Sequence, residues 1–232
     1  MMKALRGRAA APRASTVQAP VTRALVIACV VVEAIALIFP LYDRALTLGL
    51  GLVPARVTGV LVGDVAWGVP AWATLATHAF LHGGLAHLAM NMLFLWVVGG
   101  AVEETVGSGR FALLYAAGAL AGGLAEVLTA PGSQVPVVGA SGAISAALAA
   151  YALMFSRDEE SPTTILGVPL SSNAVRAVRY ASLWIGVQLL VGAAFNDGGG
   201  SSIGIGKVAI WAHVGGFVAG LLVAVNWRRG AA

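Results

Sequence analysis

Six runs of apolar residues, separated by polar or glycine-rich breaks, organise the chain. Read with a window of about 19 residues, they cover 24–42, 86–106, 111–130, 137–155, 178–196 and 205–227. Each is close to the ~20 residues that carry an α-helix through a ~30 Å hydrocarbon core at about 1.5 Å per residue. The pattern predicts an all-α polytopic membrane protein with one six-helix domain over 24–227, since no polar stretch between the runs is long enough to fold alone. A basic arm, 1–23, precedes it and a short tail, 228–232, follows. The mixed segment 43–85 carries glycine, proline, Trp67 and Trp72. It is expected at the outer membrane interface, where indole rings are well placed.

Composition supports the membrane class: 59% of the 232 residues are hydrophobic, 10% are charged, and the mean hydropathy is +0.87. The net charge of +4 and pI near 9.7 raise the question of a nucleic-acid partner, and the placement of the cations answers it. With six crossings, Lys3, Arg6, Arg8, Arg13, Arg23, Arg110, Arg157, Arg176, Arg179, Arg228 and Arg229 fall on one side. Only Arg44, Arg56 and Lys207 fall on the other. That asymmetry is the positive-inside bias, so both termini are expected in the cytoplasm, the bilayer accounts for the pI, and no nucleic acid is called for. A bacterial inner membrane is the expected location.

The arm 1–23 lacks acidic residues, which would also suit a transit peptide or the front of a signal peptide. The run after it is too long for a signal sequence and ends at Pro40 without a clear cleavage site. The arm is therefore read as a disordered cytoplasmic extension. Cys29, the one cysteine, cannot form an internal disulfide and is assigned to packing. Glu33 and Glu126 stand inside apolar runs, where a carboxylate is costly unless it faces a polar partner; the sequence names none for Glu126.

Candidate chemistry centres on Gly139-Ala140-Ser141-Gly142, which sets a hydroxyl among small residues at the start of the fourth run. Counted as helix from Val138, Ser141 lies about 5 Å below the first residue. A serine alone usually bonds its own backbone or a neighbouring helix; its company raises its standing. His87 and Asn91, spaced i and i+4, share one face near the outer end of the second run. His213 stands within the sixth run, with Gly216 and Gly220 on its face. Gly142, Ala146 and Ala150 form a small-residue row that lets another helix approach closely. With both termini inside, the second, fourth and sixth runs all enter from outside, so these groups share one shallow depth.

A serine and a histidine so placed form a nucleophile and its base. Gly139 and Gly142 leave the amides around Ser141 accessible and Asn91 offers a side-chain N–H, so donors for an oxyanion are at hand. No aspartate accompanies the pair. His78 and His82 have the i, i+4 spacing of helical metal ligands, with His87 as a possible third; no carboxylate or thiolate supports them, and interfacial hydrogen bonding is the plainer reading.

These residues, in this order, resemble the rhomboid intramembrane serine proteases. The resemblance covers about 24–227 and includes Ser141 with its flanking glycines, Ala212-His213 with Gly216 and Gly220, the His82, His87, Asn91 run, Glu103 and the turn Gly107-Ser108-Gly109-Arg110. It implies a six-transmembrane-helix rhomboid-like bundle that cleaves a peptide bond in membrane-anchored protein substrates. It further implies a Ser141/His213 dyad, with His87, Asn91 and the Ser141 amide as oxyanion donors beside Gly139. His82, Gly142, Gly216, Gly220 and Glu103 take supporting roles, and no metal or organic cofactor is implied. Two positions depart from the family. Many relatives carry Trp-Arg in the first outer loop, whereas Ala73 follows Trp72 here, which puts the anchoring of that loop in question. Some relatives stack an aromatic ring, four residues after the serine, on the histidine; here that residue is Ser145, so His213 must be held otherwise. The rival readings are an inactive scaffold of the same fold and a small transporter. Both reacting groups are present, and the polar cluster is shallow and one-sided, unlike a midplane transport site.

Overall fold

Proline begins the first two helices of the chain, where its missing N–H costs nothing and its fixed φ suits the first turn. In a computed structural model that describes residues 19–61, 67–155, 163–165, 168–170, 175, 178–180, 182–187, 190 and 209–229, α1 spans Pro20–Ile38. A second helix, α2, spans Pro40–Leu50. The helix thus starts four residues before the apolar run and breaks at Phe39, because Pro40 disfavours helical backbone in the residue before it. The arm lies outside the described residues up to position 18.

Three further helices are long and apolar enough to cross a membrane by length and composition. Helix α3 is Leu85–Val106, with a π-helical stretch at Leu95–Gly99; α4 is Ser108–Thr129; α6 is Ile210–Arg229. Between α4 and α6, Ser141–Phe155 forms the shorter α5. The protein is an integral membrane protein on this evidence of apolar spans. The fifth apolar run is helical at its described positions 178–180, 182–187 and 190; the rest of it lies outside the described residues. A two-stranded antiparallel hairpin, β1 (Thr163–Ile165) with β2 (Val168–Leu170), stands in the connection after α5, an addition to the expected all-helical plan.

Helix α5 is apolar on every side, and twelve of its 15 residues are buried, the signature of a central helix rather than a lipid-facing one. It is rich in alanine, so its neighbours come close: a β-carbon on Gly216 or Gly220 of α6 would overlap the carbonyl oxygens of Gly142 or Ala146. The close approach expected of these small faces is present. By contrast, α1 leaves Ile27, Val31, Leu37 and Ile38 exposed.

The apolar run 137–155 is not helical throughout. Val137 pairs with Leu52 of the first connection, with hydrogen bonds of 3.0 and 2.7 Å, and Gly139 takes φ +126°, which favours glycine. Helix therefore begins at Ser141 itself, not at Val138. A helical count from Val138 thus does not apply to Ser141.

Carboxylates close helix ends that nothing else would satisfy. Glu103 of α3 accepts the Val21 and Thr22 amides at the start of α1, at 2.9 and 2.7 Å, and the Ser108 hydroxyl at 2.7 Å. Its supporting role is thus to join α1, α3 and the turn into α4, filling acceptor positions that the first N–H groups of α1 would otherwise lack. The connection between α1 and α3 is held without a Trp-Arg pair: Arg56 donates to the Leu48 carbonyl at 2.7 Å and to the Val69 carbonyl at 3.4 Å. Trp67 and Trp72 are both exposed there.

Candidate active site

Ser141 opens α5 and His213 stands in the first turn of α6. Ser141 Oγ lies 2.8 Å from His213 Nε2, and both residues are buried. The approach follows from the glycines: with no side chain at Gly142 and Gly216, the two helices meet backbone to backbone at the level of the pair. For Nε2 to accept the hydroxyl proton, the neutral ring carries its own proton on Nδ1. That nitrogen has no hydrogen-bond partner among the described residues, so no carboxylate extends the pair within them.

The groups around Ser141 are donors. Its amide is among the first N–H groups of α5, which lack intrahelical acceptors and sit at the positive end of the helix dipole. His87 is oriented from behind, where the Gly83 amide donates to Nδ1 at 3.2 Å. Nδ1 is therefore the acceptor and the proton resides on Nε2. That nitrogen lies against Gly139: a β-carbon there would be 3.0 Å from it and 3.7 Å from Ser141 Oγ. Gly139 thus leaves open the space where His87 and Ser141 face each other. Asn91, one turn along the same face of α3, is buried and donates one amide N–H to the His87 carbonyl at 2.9 Å, leaving its second N–H for other acceptors.

His78 and His82 have separate tasks. His78 hydrogen-bonds the Thr74 carbonyl through Nδ1 at 2.9 Å, and its own carbonyl accepts the Gly139 amide at 2.9 Å, so it pins the strand that leads into Ser141. His82 packs edge-to-face on His87, with ring centroids 5.3 Å apart, and supports that ring by contact.

A family model described as the Rhomboid domain matches residues 69–229. The chain belongs to the rhomboid family. It is 35% identical to Rhomboid protease GluP of Bacillus subtilis over 153 residues, covering 66% of this chain and 25% of the relative. Over 151 residues it is 33% identical to Rhomboid protease GlpG of Pectobacterium atrosepticum, with 64% of this chain and 46% of the relative covered. Rhomboid-related protein 3 of Homo sapiens is 37% identical over 75 residues, 32% of this chain and 18% of that protein. The match thus spans a quarter to just under half of the two bacterial relatives.

Two residues of this rhomboid site are invisible to motif reading. Glu126 of α4 accepts the Ala212 amide at 3.0 Å and so caps the helix that carries His213. Trp184, from the fifth apolar run, is buried, faces His213 at 6.2 Å between ring centroids and donates its indole N–H to Ser145 Oγ at 2.7 Å. A buried carboxylate without a local partner and a tryptophan in an apolar run each require a hydrogen-bond partner; that requirement is the one signal the sequence holds for them.

Proposed function

We propose that this rhomboid is an intramembrane serine endopeptidase that cuts membrane-anchored proteins near the external end of a transmembrane helix. One observation carries the reading: Ser141 Oγ and His213 Nε2 stand 2.8 Å apart across two helices, inside a ring of hydrogen-bond donors. In the proposed reaction His213 Nε2 takes the hydroxyl proton as Oγ attacks the scissile carbonyl carbon. The oxyanion that develops is held by the Ser141 amide, His87 Nε2–H and the free N–H of Asn91. Collapse breaks the C–N bond, and His213 returns its proton to the leaving amine. Water, activated by the same imidazole, then hydrolyses the acyl-enzyme and restores the serine. The six-helix bundle, the cytoplasmic position of both termini and the absence of any cofactor from the reaction belong to the same reading.

A transmembrane helix satisfies its own backbone hydrogen bonds and must unwind before a protease can cut it. The glycine-lined approach to Ser141 favours a small residue at the scissile carbonyl. Gly-Pro just inside the substrate's span should speed cleavage relative to Leu-Leu, since Gly costs about 1 kcal/mol and Pro about 3 relative to Ala in a helix. The deciding experiment exposes the detergent-solubilised protein to a fluorophosphonate probe beside Ser141→Ala. Labelling of the parent alone supports the reading; equal labelling, or none, removes it.

A further inference from the structure

His213 has one side-chain hydrogen bond among the described residues, the one to Ser141, and a ring held at one atom can rotate about it. The neighbours on its open side are apolar: a cleft between the fifth run and α6 is lined by Ile185, Val214, Phe217 and Val218, with Trp184 and His213 themselves. Among the described residues, no polar group there fixes the imidazole plane. The aromatic ring found four residues after the serine in some relatives is absent as well, because that position is Ser145.

We infer that Ser145 and Trp184 together form a clamp that positions His213 for proton transfer. Ser145 Oγ donates to the Ser141 carbonyl at 2.7 Å and accepts the Trp184 indole N–H at 2.7 Å. Trp184 presents its ring to His213 at 66° between planes. Phe94 of α3 closes the other side of the indole, with centroids 4.5 Å apart and planes at 69°. A serine bonded to the carbonyl four residues back is common in helices and by itself means little. Here the same hydroxyl also fixes the ring that meets the imidazole edge-to-face. The backbone of the nucleophile and the orientation of its base are thereby linked through two side chains. An edge-to-face contact is directional, so Trp184 sets the plane of the ring as well as filling space. Both are positioning residues, since neither reaches Ser141 Oγ.

The inference rests on the protease reading above, and its test separates the two. The 232-residue chain in detergent is compared with Ser145→Ala, Trp184→Phe, Trp184→Leu and the Ser145→Ala/Trp184→Phe double variant. Fluorophosphonate labelling rates and kcat and KM on a membrane-anchored model substrate are measured. Ser145→Ala and Trp184→Phe are each expected to slow labelling and kcat about 10-fold with KM unchanged, and the double variant to be no slower than the worse single one. Trp184→Leu, which lacks the ring, should lose about 100-fold, so that Phe acts as a partial rescue. Additive losses, an effect confined to KM, or a folded Trp184→Leu protein labelled at the parent rate would overturn the clamp. If the parent itself is inert, the protease reading fails, and the clamp is judged by NMR of isotope-labelled His213. Imidazole resonances displaced in Ser145→Ala and Trp184→Leu support it; unchanged resonances overturn it.

Discussion

The Glu126 carboxylate accepts the backbone N–H of Ala212 at 3.0 Å, one residue before the proposed general base. A buried acceptor at the first turn of α6 complements the helix dipole and gives this amide a second acceptor beside the Ala209 carbonyl at 3.1 Å. Glu126→Ala is expected to cost about 1–2 kcal/mol of stability and to lower kcat about 10-fold or more as His213 drifts from Ser141. Glu126→Gln keeps an acceptor oxygen and should remain near the parent. Thermal unfolding in detergent and turnover on a model substrate measure the two effects; identical behaviour of the Ala and Gln variants would count against the capping role.

Ser141→Ala and His213→Ala are each expected to abolish cleavage while the protein stays folded and inserted. Groups that act as a unit lose most of their effect with the first deletion, so the double variant should be no worse than either single one. A rate for Ser141→Ala well above the double variant would break the assignment of the nucleophile.

Gly216 offers a test of helix spacing. A β-carbon there would overlap the Gly142 carbonyl oxygen, so Gly216→Ala must push α6 away from α5. Overpacking of this kind costs about 1–3 kcal/mol, and a displacement of about 1 Å between reacting groups costs about 100-fold in rate. Activity should therefore fall further than the melting temperature suggests. Full activity in Gly216→Ala would show that the helices yield elsewhere.

Acid should weaken the fold through the connection before α3. Burial pushes His78 down to about 4; His82 falls to about 3, through burial first and the neighbouring His87 second. Both folded values lie below the unfolded value of about 6.5, so the unfolded chain binds the extra protons. Stability is complete above that value and falls by up to about 1.4 kcal/mol per pH unit for each histidine as pH drops towards the folded values. Melting temperatures between pH 7.5 and 5 should decline, and less steeply in His82→Gln. Parallel slopes for parent and variant would contradict this origin.

Much of this architecture is legible in the sequence because bilayer thickness dictates helix length: α3, α4 and α6 fall close to their apolar runs. The start of α5 was hidden, since hydropathy cannot distinguish the non-helical Val137-to-Ala140 segment, in which Val137 pairs with Leu52, from helix. Ser141, His213, His87 and Asn91 are readable from spacing and small-residue faces, and the structure brings Ser141, His213 and His87 together. The tasks of Trp184, Glu126 and Arg56 are not readable, because each depends on a partner distant in sequence: Ser145, Ala212, and the carbonyls of Leu48 and Val69. Arg56 shows how one anchoring chemistry is met from another place in the chain.

Glu103 carries a wider consequence. Its two oxygens take two main-chain amides and a hydroxyl, the partners that liquid water would supply to a helix start in a soluble protein. An acidic residue within an apolar run is often taken as a trace of ion or proton passage. Here the carboxylate replaces solvent, and its negative charge answers the positive end of a neighbouring helix. Replacing Glu103 by an apolar residue would raise the hydropathy of α3 while leaving α1 with donors that neither lipid nor protein can satisfy; a sequence made greasier at this point would be a poorer membrane protein.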